Sequence, residues 1–253
     1  MTTKIPFPML DPTVAQLFGF RNRVIDGGFT INQRAYVSAA ALAAGVYAHD
    51  RWKAGASGCT YTFTQLSAGV NTTITITAGT LVQVIEGCNA PEGGTYTLSW
   101  TGTAQARVNG GAYAASPITT TGLTAGANVT LEFATGTVGS VQFTVGSVTS
   151  SFDYRAHAAE LALCQRYFYK CSTRPLGVTL NISDGYAAVL NFPVPMRANP
   201  VLDAGATYTV GSGSAGTPQI IANGTDAVRM NNSAANWSVN VTLALTAGFN
   251  AEL

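Results

Sequence analysis

The feature that most constrains this chain is a period-two alternation of apolar and hydroxyl side chains, repeated in short runs with turn residues between them. In Thr72-Thr73-Ile74-Thr75-Ile76-Thr77 the isoleucines fall on one side and the threonines on the other. Successive strand side chains point to opposite faces, so this pattern describes a strand with one buried face. The same alternation runs through Tyr61 and Phe63; Val82 and Val84; Tyr96, Leu98 and Trp100; Val129, Leu131 and Phe133; and Val141, Phe143 and Val145. Ala78-Gly79, Pro91-Glu92-Gly93-Gly94, Asn109-Gly110-Gly111 and Ala125-Gly126-Ala127-Asn128 separate the runs as turns. Six or more short antiparallel strands predict a β-sandwich of jelly-roll type over residues 22–152.

Composition agrees. Of 253 residues 47% are hydrophobic and only 10% charged, with 27 glycines and a net charge of +1. Apolar content this high argues against disorder. Near-zero charge gives no electrostatic case for nucleic acid or an anionic membrane. No apolar run reaches the roughly 18 residues of a spanning helix, so membrane insertion is not expected. A surface this poor in charge is weakly protected against association, which favours subunits that cover one another.

The pattern breaks at Ala156-His157-Ala158-Ala159-Glu160-Leu161-Ala162-Leu163-Cys164-Gln165-Arg166-Tyr167-Phe168-Tyr169-Lys170. Leu161, Cys164, Gln165 and Phe168 fall at helical spacing, predicting one connecting helix over 153–171. Leu161, Cys164, Phe168 and Cys171 then share a face that either seams an oligomer or packs on its own chain. Alternation returns beyond Ser172, predicting a second, small β-sandwich at 172–253. Residues 1–21 carry three prolines and a short helix signal: Asp11 as cap, Pro12 at the first turn, and Val14, Leu17 and Phe18 on one face. So short a helix must dock on something, which makes those three residues the expected attachment to a particle.

Several strings resemble tailed-bacteriophage fibre proteins that carry a carbohydrate-binding-module-like jelly roll. They are Asn22-Arg23-Val24-Ile25-Asp26-Gly27-Gly28-Phe29-Thr30-Ile31-Asn32-Gln33-Arg34, then Tyr47-Ala48-His49-Asp50-Arg51-Trp52, and Val141-Gln142-Phe143-Thr144-Val145-Gly146-Ser147-Val148 leading into Phe152-Asp153-Tyr154-Arg155. Phe192-Pro193-Val194-Pro195-Met196-Arg197-Ala198-Asn199-Pro200 is similar to the segment that opens the last domain of such proteins. The resemblance implies a virion protein assembled in the host bacterial cytoplasm. It would be a short tail fibre or surface fibre, homotrimeric, with a sugar-binding-type fold and attached to other virion proteins by its first residues; the expected ligand is a host-surface glycan or another host receptor. The rivals are a purely structural decoration or connector with no external ligand, and a free carbohydrate-binding module. The opening Met1-Thr2-Thr3-Lys4-Ile5-Pro6 has no apolar core of secretory-signal length, which fits cytoplasmic synthesis.

Sugar sites use aromatic faces with a few polar groups. Trp237, among small polar residues, is the preferred receptor contact. Tyr113 lies beside a glycine-rich turn, and Trp52 is either a contact or a core plug behind Asp50 and Arg51. Trp100 shares its strand face with Tyr96 and Leu98 and reads as core. An enzyme needs a nucleophile or a carboxylate pair, and the acids here are scattered. Glu86 and Glu132 are the two a sheet might bring together, although solvated strand residues are the plainer reading. His49 and His157 read as surface or turn residues. No cysteine pair has metal spacing, so no metal, cofactor or catalytic activity is expected.

Overall fold

The computed structural model describes residues 21–67, 69–176, 178–181, 185–203, 207–210, 218–232 and 243–253. The chain is mostly β-sheet and divides into two compact units. One comprises Tyr36–His157 with the segment that ends at Ile31, and the other Ala158–Leu253 with Asn32–Ala35.

The first unit contains β1 (Lys53–Thr62), β2 (Ile74–Ile85), β3 (Gly94–Thr101), β4 (Ala106–Val108), β5 (Ile118–Leu123), β6 (Val129–Phe133) and β7 (Gly136–Val145). They form a seven-stranded antiparallel sheet in the order β4-β6-β2-β7-β3-β5, with β1 on β2. The sheet folds over on itself into a nearly closed, barrel-like sandwich because β7 serves two neighbours. Its first residues pair with β2 from Ile74 to Ile76, and its remainder pairs with β3. The alternating apolar residues fill the interior: Ile74, Ile76, Tyr96, Leu98, Leu131, Phe133, Val141 and Phe143 are all buried. Phe133 sits edge-on to both Trp52 and Trp100, with ring centroids 5.8 Å and 5.3 Å away. Such contacts add to burial, which for one large side chain is worth about 1.5–3 kcal/mol.

Ala78-Gly79 is not a turn. The two strands expected on either side of it form the single strand β2, and Gly79 sits inside it at φ +68°. Gly79 opposes Cys59 in β1, next to a register shift between Thr60 and Tyr61. A glycine inside a strand marks a bulge or a close backbone approach, and here it is both.

Within the first unit, residues 21–31 and 36–52 carry little regular structure and are held by buried polar side chains. Asn22 donates to the Val141 carbonyl (3.0 Å) and accepts from the Phe143 N–H (3.0 Å). The Asp26 carboxylate accepts from the N–H groups of Thr30 (2.6 Å) and Ile31 (3.1 Å), and the Trp52 indole donates to the Asp26 carbonyl (2.9 Å). Arg51, itself buried, donates to the Val84 carbonyl at 2.7 Å. The opening string is tied to the closing one. Asp153 accepts from the N–H groups of Arg21 (2.8 Å) and Asn22 (3.3 Å), and Arg155 donates to the carbonyls of Val24 (3.0 Å) and Asn22.

The second unit begins with α1 (His157–Gln165), followed by β8 (Phe168–Leu176), β9 (Val178–Asn181), β10 (Gly185–Asn191), β11 (Val201–Leu202), β12 (Thr207–Val210), β13 (Pro218–Asn223), β14 (Ala227–Asn232) and β15 (Leu243–Asn250). Two four-stranded antiparallel sheets result: β13-β14-β10-β9, and β11-β15-β12 with β8 on β15. Tyr169, Leu190, Phe192, Met196, Val228, Met230 and Phe249 build its core. Arg197 fastens the end of the chain, donating to the carbonyls of Ala251 (2.7 Å) and Glu252 (2.9 Å).

The helix is shorter than the sequence predicts, and this corrects the single helix face expected of Leu161, Cys164, Phe168 and Cys171. It ends at Gln165; Phe168 and Cys171 belong to β8, which pairs with β15 through Phe168↔Asn250 and Ala247↔Cys171. Tyr167-Phe168-Tyr169 is aromatic and suits a strand, and pairing with β15 overrides its helical spacing. Of the four only Leu161 and Cys164 lie on the helix, so they do not form one helix face together. Cys164, Phe168 and Cys171 are buried, and Leu161 is half-buried.

Asn32–Ala35 belongs to this second unit although it lies within the opening string. Gln33 donates to the Phe168 carbonyl (2.8 Å) and accepts from the Lys170 N–H (3.3 Å). Arg34 lies 3.7 Å over the Phe168 ring and pairs with Glu252 at 3.3 Å.

Candidate functional site

The outer face of β3 and β7 carries a cleft of about 410 Å³. Its floor comes from strand positions that alternate away from the core. Ser99 lies in register with Gln142, and Thr101 opposite Gly139 beside Ser140. Ser116 and Pro117 close one side, where the Ser116 hydroxyl accepts from the Trp100 N–H at 3.0 Å. Thr149, Ser150, Ser151 and Phe152 close the other. The Gln142 amide fixes that wall, donating to the Ser150 hydroxyl (2.9 Å) and accepting from the Asp153 N–H (2.8 Å). The Phe152 ring is half-buried and meets Tyr154 edge-on at 4.9 Å, with Tyr154 71% exposed.

The lining is thus a dense set of hydroxyls with one accessible aromatic ring, and it contains no ionisable side chain. Hydroxyls both donate and accept, and a ring face offers apolar contact. Such a surface can bind a neutral polyhydroxylated ligand; its lining holds no group that transfers a proton near neutral pH.

Trp52 is fully buried beside Phe29 and Phe133 and is a core plug, removed from any ligand. Trp100 is core on its ring side, with its indole donating to the Ala104 carbonyl at 3.0 Å. Tyr113 is half-exposed on another surface, with the Arg107 guanidinium 4.6 Å from its ring. Trp237, Val14, Leu17 and Phe18 lie outside the described residues.

Burial pushes the Glu132 carboxyl up, but hydrogen bonds from Arg107 and Thr80 and the Arg107 charge outweigh it and hold Glu132 below the usual range. Arg107 reaches it at 2.7 Å. Glu132 pairs in register with Val82, whereas Glu86 follows Ile85 at the far end of β2. Four residues of strand is roughly 13 Å, too far for a hydrolytic carboxylate pair. His49 is not a surface residue. It is fully buried among Phe29, Tyr36, Tyr61 and Phe63, with Nδ1 2.7 Å from the Tyr61 hydroxyl. Burial lowers its pKa to about 4, against a smaller raising effect from Gln65. Among the described residues no cluster of His, Cys, Asp or Glu has the composition of a metal site.

Compared with known protein families, with curated proteins and with solved structures, the chain matches none.

The sequence alone does not mark the cleft residues as a site. Phe152 and Tyr154 were visible only as part of the closing string. Ser99, Ser116, Ser140 and Ser151 look like any other hydroxyl in a serine- and threonine-rich chain until β3 and β7 pair and the 149–152 segment folds over them.

Proposed function

We propose that this chain is a non-enzymatic virion protein of a tailed bacteriophage, a short tail fibre or surface fibre that holds a host-surface glycan in the cleft of its first unit. The cleft carries the glycan half of this reading. A pyranose has an apolar face and a rim of hydroxyls, and Phe152 beside Ser99, Ser116, Ser140 and Ser151 offers the complement of both. The virion half is supported by the fibre-like strings, including the opening and closing ones joined through Asp153 and Arg155. The proposal includes a jelly-roll topology for the first unit, homotrimeric assembly, and attachment to other virion proteins through residues 1–21. Catalysis, a cofactor and nucleic-acid binding are not part of it.

Adsorption of the tagged, purified protein to host cells tests the reading, with the mass of the same sample recorded. Saturable adsorption competed by the host's surface polysaccharide, and weakened about tenfold or more in Phe152→Ala, is the expected result. A folded protein that does not adsorb would replace this reading with that of a structural decoration or connector.

A further inference from the structure

A second groove, of about 690 Å³, adjoins the cleft of about 410 Å³ and shares Thr149 and Ser150 with it. The two lie end to end on one face of β7. Gln142 in the cleft and Thr144 in the groove are two residues apart, so they point to the same side of the strand, about 7 Å from each other. The segment after β7 turns back over this face and is pinned at both ends. The Thr97 hydroxyl donates to the Gly146 carbonyl at 2.7 Å, and the Gln142 amide donates to the Ser150 hydroxyl at 2.9 Å. Between the pins Ser147, Val148 and Thr149 are exposed. Val145 and Val148, 49% and 68% exposed, give the groove its apolar surface. Its polar surface includes Arg23 and Glu92, which meet at 2.6 Å, while the second Glu92 oxygen accepts from the Tyr96 hydroxyl at 2.8 Å. Each carboxylate oxygen has two lone-pair sites, so Glu92 still accepts from a further hydroxyl after both contacts.

We propose that the groove continues the cleft, so that the bound glycan is a chain of several sugar residues held along its length. One stretch lies on Phe152 and the serines, and the next over Val148 beside Arg23 and Glu92. The inference rests on the glycan reading above. Sites of about 300–1,000 Å³ each enclose one drug-sized ligand. Either depression alone therefore has room for more than a single sugar, and the two in line call for an oligomer. Val148 offers apolar contact to a sugar ring face, and the ion pair offers donors and acceptors to its hydroxyl rim. The shared wall at Thr149 and Ser150 joins the two into one path. Because that wall is pinned at both ends without ligand, little ordering is left to offset on binding.

The full-length protein is titrated with the host's surface polysaccharide and with fragments of it graded by length, from the monosaccharide upward. The expected result is affinity that rises beyond the disaccharide and levels off once a fragment spans both depressions. Val148→Asp, checked for an unchanged melting temperature, should weaken the long fragments about tenfold and leave the disaccharide unchanged. Val148→Ile should stay within about threefold of wild type, and Phe152→Ala should weaken short and long fragments alike. If the disaccharide binds as tightly as the polymer and Val148→Asp changes neither, the continuation is overturned and the glycan reading stands. A length dependence that Val148→Asp leaves untouched places the chain elsewhere and overturns it too. If neither the polymer nor any fragment binds, both readings fall.

Discussion

The side-chain amide of Gln83 satisfies both backbone groups of Ile25, accepting from its N–H at 2.9 Å and donating to its carbonyl at 2.8 Å. Gln83 lies on β2, and its fully buried amide substitutes for a strand partner that the irregular opening segment lacks. Buried backbone groups left unpaired cost about 1–3 kcal/mol each. Gln83→Met keeps the volume and removes both bonds. Urea unfolding should show a loss of about 2–4 kcal/mol with the first unit still able to fold; a loss within error of zero would mean water or a shifted backbone replaces the amide.

Gly79 supports a second prediction. A Cβ there would lie 2.0 Å from the Gly58 carbonyl oxygen, and its φ of +68° already disfavours a side chain. Both partners are backbone, so neither can swing aside. Gly79→Ala should cost about 2 kcal/mol or more, since left-handed geometry alone accounts for about 1–2. Thermal melting is sufficient to detect it.

His49 makes stability depend on pH in a defined window. Its pKa falls from 6.5 in the unfolded chain to about 4 in the fold, chiefly through burial. Above pH 6.5 neither state is protonated, and the contribution is fully present. As pH falls from 6.5 towards 4 the unfolded state takes the proton first, and stability declines. Between pH 7.5 and pH 5 the loss should be about 2 kcal/mol. Glu92 and Glu132, both held below their ordinary value of 4.5, lose their contributions only at lower pH. In His49→Gln the decline over this window should flatten; an equally steep decline would assign it to another group.

Arg197 is the corresponding fastener of the second unit. Besides its two bonds to the end of the chain, its own N–H donates to the Arg166 carbonyl at 2.7 Å. Arg197→Met leaves the Ala251 and Glu252 carbonyls without that donor. The second unit should lose about 1.5–3 kcal/mol, read by hydrogen exchange at the Phe249 and Ala251 amides, with the first unit's exchange unchanged.

Much of the first unit was legible in the sequence because its signal is local. Apolar residues at every second position place Ile74, Leu98, Leu131 and Phe143 on one face whatever the strands pair with, and the same alternation places Trp100 with the core. Trp52 became core only when Phe29 and Phe133 closed around it. His49 looked polar enough for a turn and is polar, yet the ring cluster around it comes from residues distant in sequence. The helical spacing runs past the end of the helix for the opposite reason: Phe168 and Cys171 keep that spacing, but β15 offers a backbone ladder that spacing does not reveal.

By itself, then, the sequence determined a mostly β body, many of the first unit's core side chains and the position of its one break in alternation, since these follow from the period of side chains along the backbone. Beyond Gly79 the buried face of β2 is instead that of Leu81, Gln83 and Ile85, and Val145 is exposed. Which strand pairs with which, that Asn32–Ala35 belongs with the last hundred residues, and that scattered serines meet Phe152 in one cleft were decided by tertiary structure alone. Those outcomes depend on contacts between residues far apart in the chain, where hydrogen-bond pairing and burial outweigh any local preference.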